Sequence, residues 1–545
     1  MSKEPAIQNF LFAGDTHSHL ENLSRWVSLW QSLKKTYPNA LSIYTGDFLG
    51  SSIQSAFSQG QIDIHILSQV LNKNSVLTLG NHDFDFGENI LLKLLKKLNV
   101  PTVVTNIQYN NLMNPFKSLL KSFHSIQTPQ HRYIFFGLLP YEMKFTSQTL
   151  QTLKVFNFIK TLSSLKKMMK QFAVQDGKTT FILLSHLGID LDYCLAQNFK
   201  NIIIFGGHSH SILPYFKNDK TGSIIVHAGF NAQFVGKLSL TYVAQQLVAS
   251  QGELMGVTAM PKSKHIQGLV KILNDKIVNK LQINITQQLC DLPVKQRWSG
   301  LDWHPVNDSH AGQARVNDTF ITRLMSDAMV QAIGRETKNY NFLGLFHGGG
   351  VRCFLPAGKI RYTDVFSALP FPQHLVTVRM RGADLLTALE LGIAQTNWHQ
   401  RAGLLHPSIR LRYGYDLTLP RGSRLTFVMI DEKAIETDKV YDIVTNNWVA
   451  AGQDGLVIFK KLNSVSYPHL KQVDVFIQYL QKNKQAVANC EITADKLEKF
   501  GERILSRQSF DQTRQIANQQ EYSRGKEPIL KLKEVNLAKF LPRVK

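Results

Sequence analysis

An amide, an imidazole and two carboxylates stand close together in the run Gly80-Asn81-His82-Asp83-Phe84-Asp85-Phe86-Gly87. The preceding stretch, Ser75 to Leu79, is apolar and β-prone, so these side chains follow a strand that stops at a glycine. A strand end of this kind presents side chains at the carboxyl edge of a sheet, where open α/β sheets bind ligands. Asn81 can offer a metal an amide oxygen. His82 can give or take a proton, and Asp85 stands near enough in sequence to orient it. Taken alone, the run also reads as a polar turn, with His82 a structural histidine and Asp85 a helix cap.

The same arrangement recurs along the first half of the chain. Asn9 to Ala13 runs into Gly14-Asp15-Thr16-His17, and Leu41 to Tyr44 into Thr45-Gly46-Asp47. Thr180 to Leu184 meets Ser185-His186, and Asn201 to Phe205 meets Gly206-Gly207-His208-Ser209-His210. Asp15 and His17, like His208 and His210, are two apart, so an extended or turning backbone can aim each pair one way. Carboxylates and imidazoles together suit a borderline divalent cation such as zinc or manganese. Asp47 has two carboxylate oxygens and can bridge two cations. The repetition of a strand followed by Asp, Asn or His points to a metal centre. Asn106, after Thr102 to Thr105, either faces the same cleft or makes a plain turn.

The elements that must hold these residues are also legible. Leu23, Trp26, Val27, Trp30 and Leu33 recur at helical spacing and predict an amphipathic helix over the sheet. Tyr133 to Leu139, Ser223 to Val226 and Lys237 to Val243 read as further strands, and Leu150 to Phe172 as one or two surface helices. After Met255 the strand–glycine pattern stops. His265 to Leu289 reads as a long helical segment, and Pro293 to His310 as irregular chain. A second region begins near Arg315, with a helix over Phe320 to Ile333 and a strand over Phe342 to Phe346. His347-Gly348-Gly349-Gly350-Val351-Arg352 follows, where glycines permit close backbone approach and an arginine offers a forked donor for phosphate.

Composition bounds these readings. The chain has 545 residues, enough for roughly two to four domains by length. Its 43% hydrophobic content excludes a disordered chain. A formal net charge of +22 favours nucleotides, nucleic acid or an acidic membrane surface, and equally serves plain solubility. Cys194, Cys290, Cys353 and Cys490 lie far apart without a CxxC pair, which excludes a zinc knuckle or a dense disulfide framework. The amino end lacks the apolar core of a signal peptide, so the expectation is cytoplasmic, with signal-less export as the alternative. No apolar run approaches the roughly 20 residues of a membrane span.

Asp15-x-His17, Gly46-Asp47, Gly80-Asn81-His82-Asp83, His186 and Gly207-His208-x-His210 together resemble the calcineurin-like metallophosphoesterases. The form Gly-Asn-His-Asp-Phe-Asp-Phe-Gly is similar to their 5′-nucleotidase branch. Gly348 to Arg352, Pro356 to Ile360, Leu369-Pro370-Phe371 and Asn446 to Gly455 resemble that branch's C-terminal domain, so the likeness runs from about Asn9 to Ile504. It implies an α/β (α+β) fold: a four-layer α/β/β/α metallophosphoesterase sandwich over 7–255 and a helical linker over 256–310. A second α/β substrate-binding domain over 311–505 and a basic tail over 506–545 would follow.

The resemblance also implies two divalent ions, of Zn, Mn, Co or Mg. Asp15, His17, Asp47 and His210 would hold one; Asp47, Asn81, His186 and His208 would hold the other. Two cations about 3.5–4 Å apart acidify a water, and the resulting hydroxide attacks phosphorus. His82, paired with Asp85, would stabilise the transition state and protonate the leaving oxygen. Arg315 and Arg352 would contact phosphate, Asp454 would accept from ribose hydroxyls, and Trp448 would stack on the base. The expected function is a metal-dependent phosphohydrolase with a nucleotide substrate, releasing phosphate from nucleoside 5′-phosphates or splitting UDP-sugar and nucleotide pyrophosphate bonds. Alternatives are a 2′,3′-cyclic nucleotide phosphodiesterase/3′-nucleotidase, a thiosulfohydrolase, or a non-catalytic nucleotide- or nucleic-acid-binding protein. Three departures stand out: His347 replaces a usual Asn, Pro372-Gln373 replaces Gly-Asn, and Gln453 replaces Gly. Where relatives place the first of two aromatics around the base, this chain has only Leu404, Leu405 and His406, so that side would be aliphatic or imidazole.

Overall fold

A computed structural model describes residues 5–50, 52–110, 113–128, 131–141, 152–172, 179–244, 246–292, 319–352, 355, 358–394, 404–416, 418–484 and 504–506. Alternation along the first strand, Ala6–Ala13, sets the layers. Successive side chains on a strand point to opposite faces. Phe10 and Phe12 therefore enter a core shared with a second sheet, whereas Leu11 and Ala13 enter a core beneath helices. The first sheet has seven strands in the order Gln246–Gly256, Phe234–Val243, Ala6–Ala13, Leu41–Tyr44, Ser75–Leu77, Thr102–Val103, Leu120–Lys121. The second has six, in the order Ile212–Lys217, Ile224–Ala228, Ile203–Gly206, Thr179–Ser185, Arg132–Leu138, His124–Gln127.

Between the sheets Phe10 and Phe12 pack on Phe205, with ring centroids 5.6 and 5.2 Å apart. Outside the first sheet lie helices Leu20–Thr36 and Glu88–Leu98; outside the second lie Phe158–Phe172 and Ile189–Asn198. The layers run helix, sheet, sheet, helix, the four-layer arrangement expected from the resemblance. Leu23, Trp26, Val27, Trp30 and Leu33 are all buried on the first helix, as their spacing predicts. The strands that carry the motifs are parallel to one another within each sheet, so their carboxyl ends share one edge in each.

Two expectations are corrected. Within Leu150 to Phe172, Leu153–Val155 is a strand paired antiparallel with Ile107–Tyr109, and only Phe158–Phe172 is helical. Buried Leu153 and Val155 flank exposed Lys154, a two-residue period hidden beside a helical pattern. The long helix after Met255 spans Lys264–Leu281 and stops where Gln282 turns left-handed, at φ 53°. Gln288–Leu292 then pairs with Gly358–Arg361. Edge strands Ile212–Lys217 and Gln246–Gly256 extend the two sheets beyond the runs read as strands from the sequence.

The C-terminal half is built on a five-stranded sheet, ordered Leu405–Pro407, Leu343–His347, Val440–Asn446, His374–Arg381, Ser464–Lys471. Its faces bury different partners. Phe346 and Val444 pack with Met325 and Met329 of helix Phe320–Thr337, and Leu343 and Leu345 pack with Leu385 and Leu389 of helix Gly382–Ala394. This is the expected second α/β unit. Helix Lys264–Leu281 joins the halves: Ile266 belongs to the core under the first sheet, and Ile277 to the C-terminal core, beside Ile53. Arg315, the irregular segment Pro293 to His310 and the tail 507–545 lie outside the described residues. No helix among the described residues is long and apolar enough to cross a membrane.

Phe205 is fully buried between the sheets. Phe205→Ala is expected to lower the unfolding free energy by about 3–5 kcal/mol. Urea denaturation followed by circular dichroism measures this, and a loss below about 1 kcal/mol would contradict the packing described.

Candidate metal centre

The motif residues converge where the carboxyl edges of the two sheets meet. One donor atom from each of Asp15, His17 and His210 forms a group within 4.8 Å, and Asp47, His186 and His208 form a second. Asp47 Oδ2 lies 3.1 Å from His186 Nε2 and 3.8 Å from His17 Nε2, so it faces both groups. Asp15 Oδ1 lies 3.8 Å from the Nε2 atoms of His17, His186 and His210. Asn81 sits on the turn between Gly80 and His82, and its Oδ1 is buried without a hydrogen-bond partner.

Local backbone geometry makes this convergence possible. Asp15, His17, Asp47, His208 and His210 all have positive φ, between 47° and 73°. L-residues adopt that region at a cost of about 1–3 kcal/mol each, and such strain collects at functional sites. Gly80 has a steric role: a Cβ there would stand 2.2 Å from Asp47 Oδ1 and 2.5 Å from His186 Nε2. Buried Asp83 ties the turns together. Its Oδ2 accepts from Asp47 N (2.9 Å) and Gly80 N (2.8 Å), and its Oδ1 from Phe48 N (2.8 Å) and Leu49 N (3.3 Å). Asp15 accepts the backbone N–H of His208 at 3.0 Å. His186 Nδ1 lies 2.6 Å from the Thr45 carbonyl and donates to it, which turns Nε2 toward Asp47. Phe230 stacks on His210, with ring planes 6° apart.

Electrostatics in this group favour a cation. Burial holds His17 and His210 well below the usual histidine range, so both are neutral, as ligation requires. Their Nε2 atoms face one another at 2.8 Å. Burial pushes Asp15 up to about 7, against the pull of His186. Burial also opposes charge on Asp47 and on His186. Even so, His186 and His82 hold Asp47 well below the carboxylate range, and Asp47 and Asp15 push His186 up to about 10. Burial, reinforced by Asp47, pushes Asp83 up to about 8. Carboxylates, inward-facing ring nitrogens and an orphaned amide oxygen around one point form a donor set that fits divalent metal ions.

The other expected residues are placed as follows. His82 Nδ1 lies 2.8 Å from Asp85 Oδ2, and its backbone N–H donates to Asp47 Oδ1 at 2.8 Å. Arg352 reaches across from the C-terminal half and donates through Nη2 to His82 Nε2 at 3.1 Å. Trp448, half-buried on the short helix Asn447–Ala450, donates its indole N–H to Asp454 Oδ2 at 2.9 Å. His347 Nε2 lies 3.7 Å from the same oxygen, at the start of the glycine turn that ends at Arg352. Leu404, Leu405 and His406 are fully buried around strand Leu405–Pro407, so none of them offers a surface for a base. Asn106 is buried too: its amide donates to the Leu139 carbonyl and accepts from the Leu139 N–H, the plain structural alternative.

Residues 8–211 match a family model for calcineurin-like phosphoesterases, and 304–461 match the model of the 5′-nucleotidase C-terminal domain. The chain is 23% identical over 518 residues to the trifunctional nucleotide phosphoesterase protein YfkN of Bacillus subtilis, a match covering 87% of this chain and 34% of that protein. It is 23% identical to the NAD 5′-nucleotidase of Haemophilus influenzae, over 83% of each. The crystal structure of a 5′-nucleotidase precursor from Thermus thermophilus superposes with a TM-score of 0.76 at 23% identity, covering 92% of this chain and 99% of that one. With both domain models matched in this order, the chain belongs to the 5′-nucleotidase family of calcineurin-like metallophosphoesterases, hydrolases of phosphoester bonds.

Proposed function

We propose that this protein hydrolyses nucleotides with two divalent metal ions. Asp15, His17 and His210 would hold one ion, and Asn81, His186 and His208 the other, with Asp47 shared. The observation that carries this reading is the placement of Asp47 Oδ2 facing both ligand groups. When bound, the two ions would supply an acidified water and neutralise charge on the phosphoryl oxygens.

The chain's own residues do the remaining work. Asp85 accepts from His82 Nδ1 and fixes the ring, which leaves Nε2 directed at the reacting phosphate. Arg352 Nη2 lies beside that nitrogen, so its guanidinium meets the same phosphoryl group and offsets its charge. For His82 to deliver a proton to the leaving oxygen, its ring carries a proton on each nitrogen, and Arg352 then donates to the phosphoryl oxygens rather than to Nε2. The Trp448–Asp454 pair, joined through His347 to the Arg352 turn, is the candidate contact for the nucleoside. Arg315 is proposed as a second phosphate contact on the resemblance alone. Relatives named as nucleotide phosphoesterase and NAD 5′-nucleotidase favour a nucleoside 5′-phosphate or a nucleotide pyrophosphate as substrate.

Purified protein with Mn²⁺ or Zn²⁺ is expected to release phosphate from AMP, or from UDP-glucose or NAD once an added phosphatase acts on the products. A chelator should abolish the release and fresh metal should restore it. No hydrolysis of any of these with either metal would overturn the reading. His82→Ala is expected to lower kcat by about 10²–10⁴ while leaving bound metal unchanged by elemental analysis. Asp83→Asn turns an NH₂ group toward backbone donors and should weaken metal binding by about 10–100-fold, read by competition with a chromogenic chelator. Unaltered affinity would show that Asp83 does not set the ligand turns.

A further inference from the structure

Phe371 comes from the C-terminal half and lies against His82. Their ring centroids are 6.3 Å apart and the planes are 24° from parallel. The guanidinium of Arg352 sits over the same ring, 5.9 Å from its centroid, while donating to His82 Nε2. Each of the three side chains therefore lies beside the other two. Asp85 holds one edge of the imidazole but cannot by itself fix the tilt of its plane, because a single hydrogen bond leaves the ring free to swing about it. A flat ring beside its face limits that freedom, together with the Arg352 bond at Nε2 and the His17 ring, whose centroid is 5.3 Å away.

The backbone under Phe371 is unusually constrained. Pro370 precedes it and Pro372 follows it. Proline fixes its own φ and keeps the residue before it out of the helical region. Gln373 N donates to the Phe371 carbonyl at 2.7 Å and closes a tight turn around Pro372. The Gln373 side-chain oxygen accepts from Asn446 Nδ2 at 2.7 Å. Asn446 in turn caps helix Asn447–Ala450, which carries Trp448, by accepting from Val449 N. A rigid turn thus fastens the ring on His82 to the helix of the Trp448–Asp454 pair.

We propose that Phe371 is a positioning residue, which holds the His82 imidazole and the Arg352 guanidinium in register and couples proton delivery to the helix that carries Trp448. This rests on the reading of His82 as proton donor. Phe371 touches no reacting atom in this account. It acts through His82 and Arg352, so its loss lowers turnover rather than affinity. The residues that set it apart in this chain are Pro372 and Gln373, which fix its backbone and link it to Asn446.

The experiment uses Zn²⁺-loaded full-length protein, with kinetics on AMP and NMR of ¹³C-labelled histidine side chains. His82 resonances are assigned by their disappearance in His82→Ala. Phe371→Ala and Phe371→Leu are expected to lower kcat by about ten- to a hundredfold with KM and bound metal unchanged, and Phe371→Tyr to restore most of the loss. Phe371→Ala should shift the His82 ring resonances and should cost less in a His82→Ala background than in the wild type. The proposal is overturned if Phe371→Ala costs the same factor with and without His82, or if it leaves kcat and the His82 resonances unmoved. A wild-type protein without hydrolysis would instead overturn the hydrolase reading, with the histidine resonances still deciding whether Phe371 holds His82.

Discussion

The Asp47 carboxylate joins what would otherwise be separate pieces. One oxygen accepts the backbone N–H of His82, and the other faces His186 and His17. A buried carboxylate is costly unless it is paired and hydrogen-bonded. Here the pairing comes from imidazoles on two different sheets, and Asp83 hydrogen-bonds the backbone under Asp47. Gly80 leaves room for the carboxylate, and the left-handed backbone at five of the proposed ligands aims their side chains inward. Strain of that size persists only where the surrounding packing over-determines it. The buried phenylalanines between the sheets supply such packing.

The site is completed from the other side. Both sheets of the first half end at the ligand cluster, while the C-terminal half contributes Arg352 and Phe371 at His82. A phosphate ester in this gap would meet metal ligands on one flank and a guanidinium on the other. That division suits a reaction in which negative charge grows on the phosphoryl oxygens, because preorganised donors need no rearrangement as the charge develops. It also explains the glycines before Arg352: a turn without side chains brings the arginine close to the other half. Helix Lys264–Leu281, rooted in both cores, holds the two halves in contact.

Much of this was legible because each proposed ligand follows a strand, and a strand's end can be read from its apolar run. Asp15, Asp47 and His186 are visible in that way. The role of Asp83 was not. It sits between His82 and Asp85, and no local spacing tells an acid that points back to its own turn from one that points into the cleft. Phe371 was invisible as a contact of His82 because nearly 300 residues separate the two in sequence. Three residues are too few for the two-residue period of strand Leu153–Val155 to outweigh the helical pattern that follows. Leu404 to His406 fill the core beside strand Leu343–His347 instead of facing a base. Burial on a short strand paired on one side only leaves no periodic signal.

The central claim is that Asp47 lies between two cations. Equilibrium dialysis of the purified protein against Mn²⁺, with elemental analysis, tests it most directly. Two tightly held ions per chain are expected in the wild type, with both sites weakened together in Asp47→Asn because one carboxylate serves both. A wild type that binds a single ion or none, or an Asp47→Asn protein that retains two, would contradict the account.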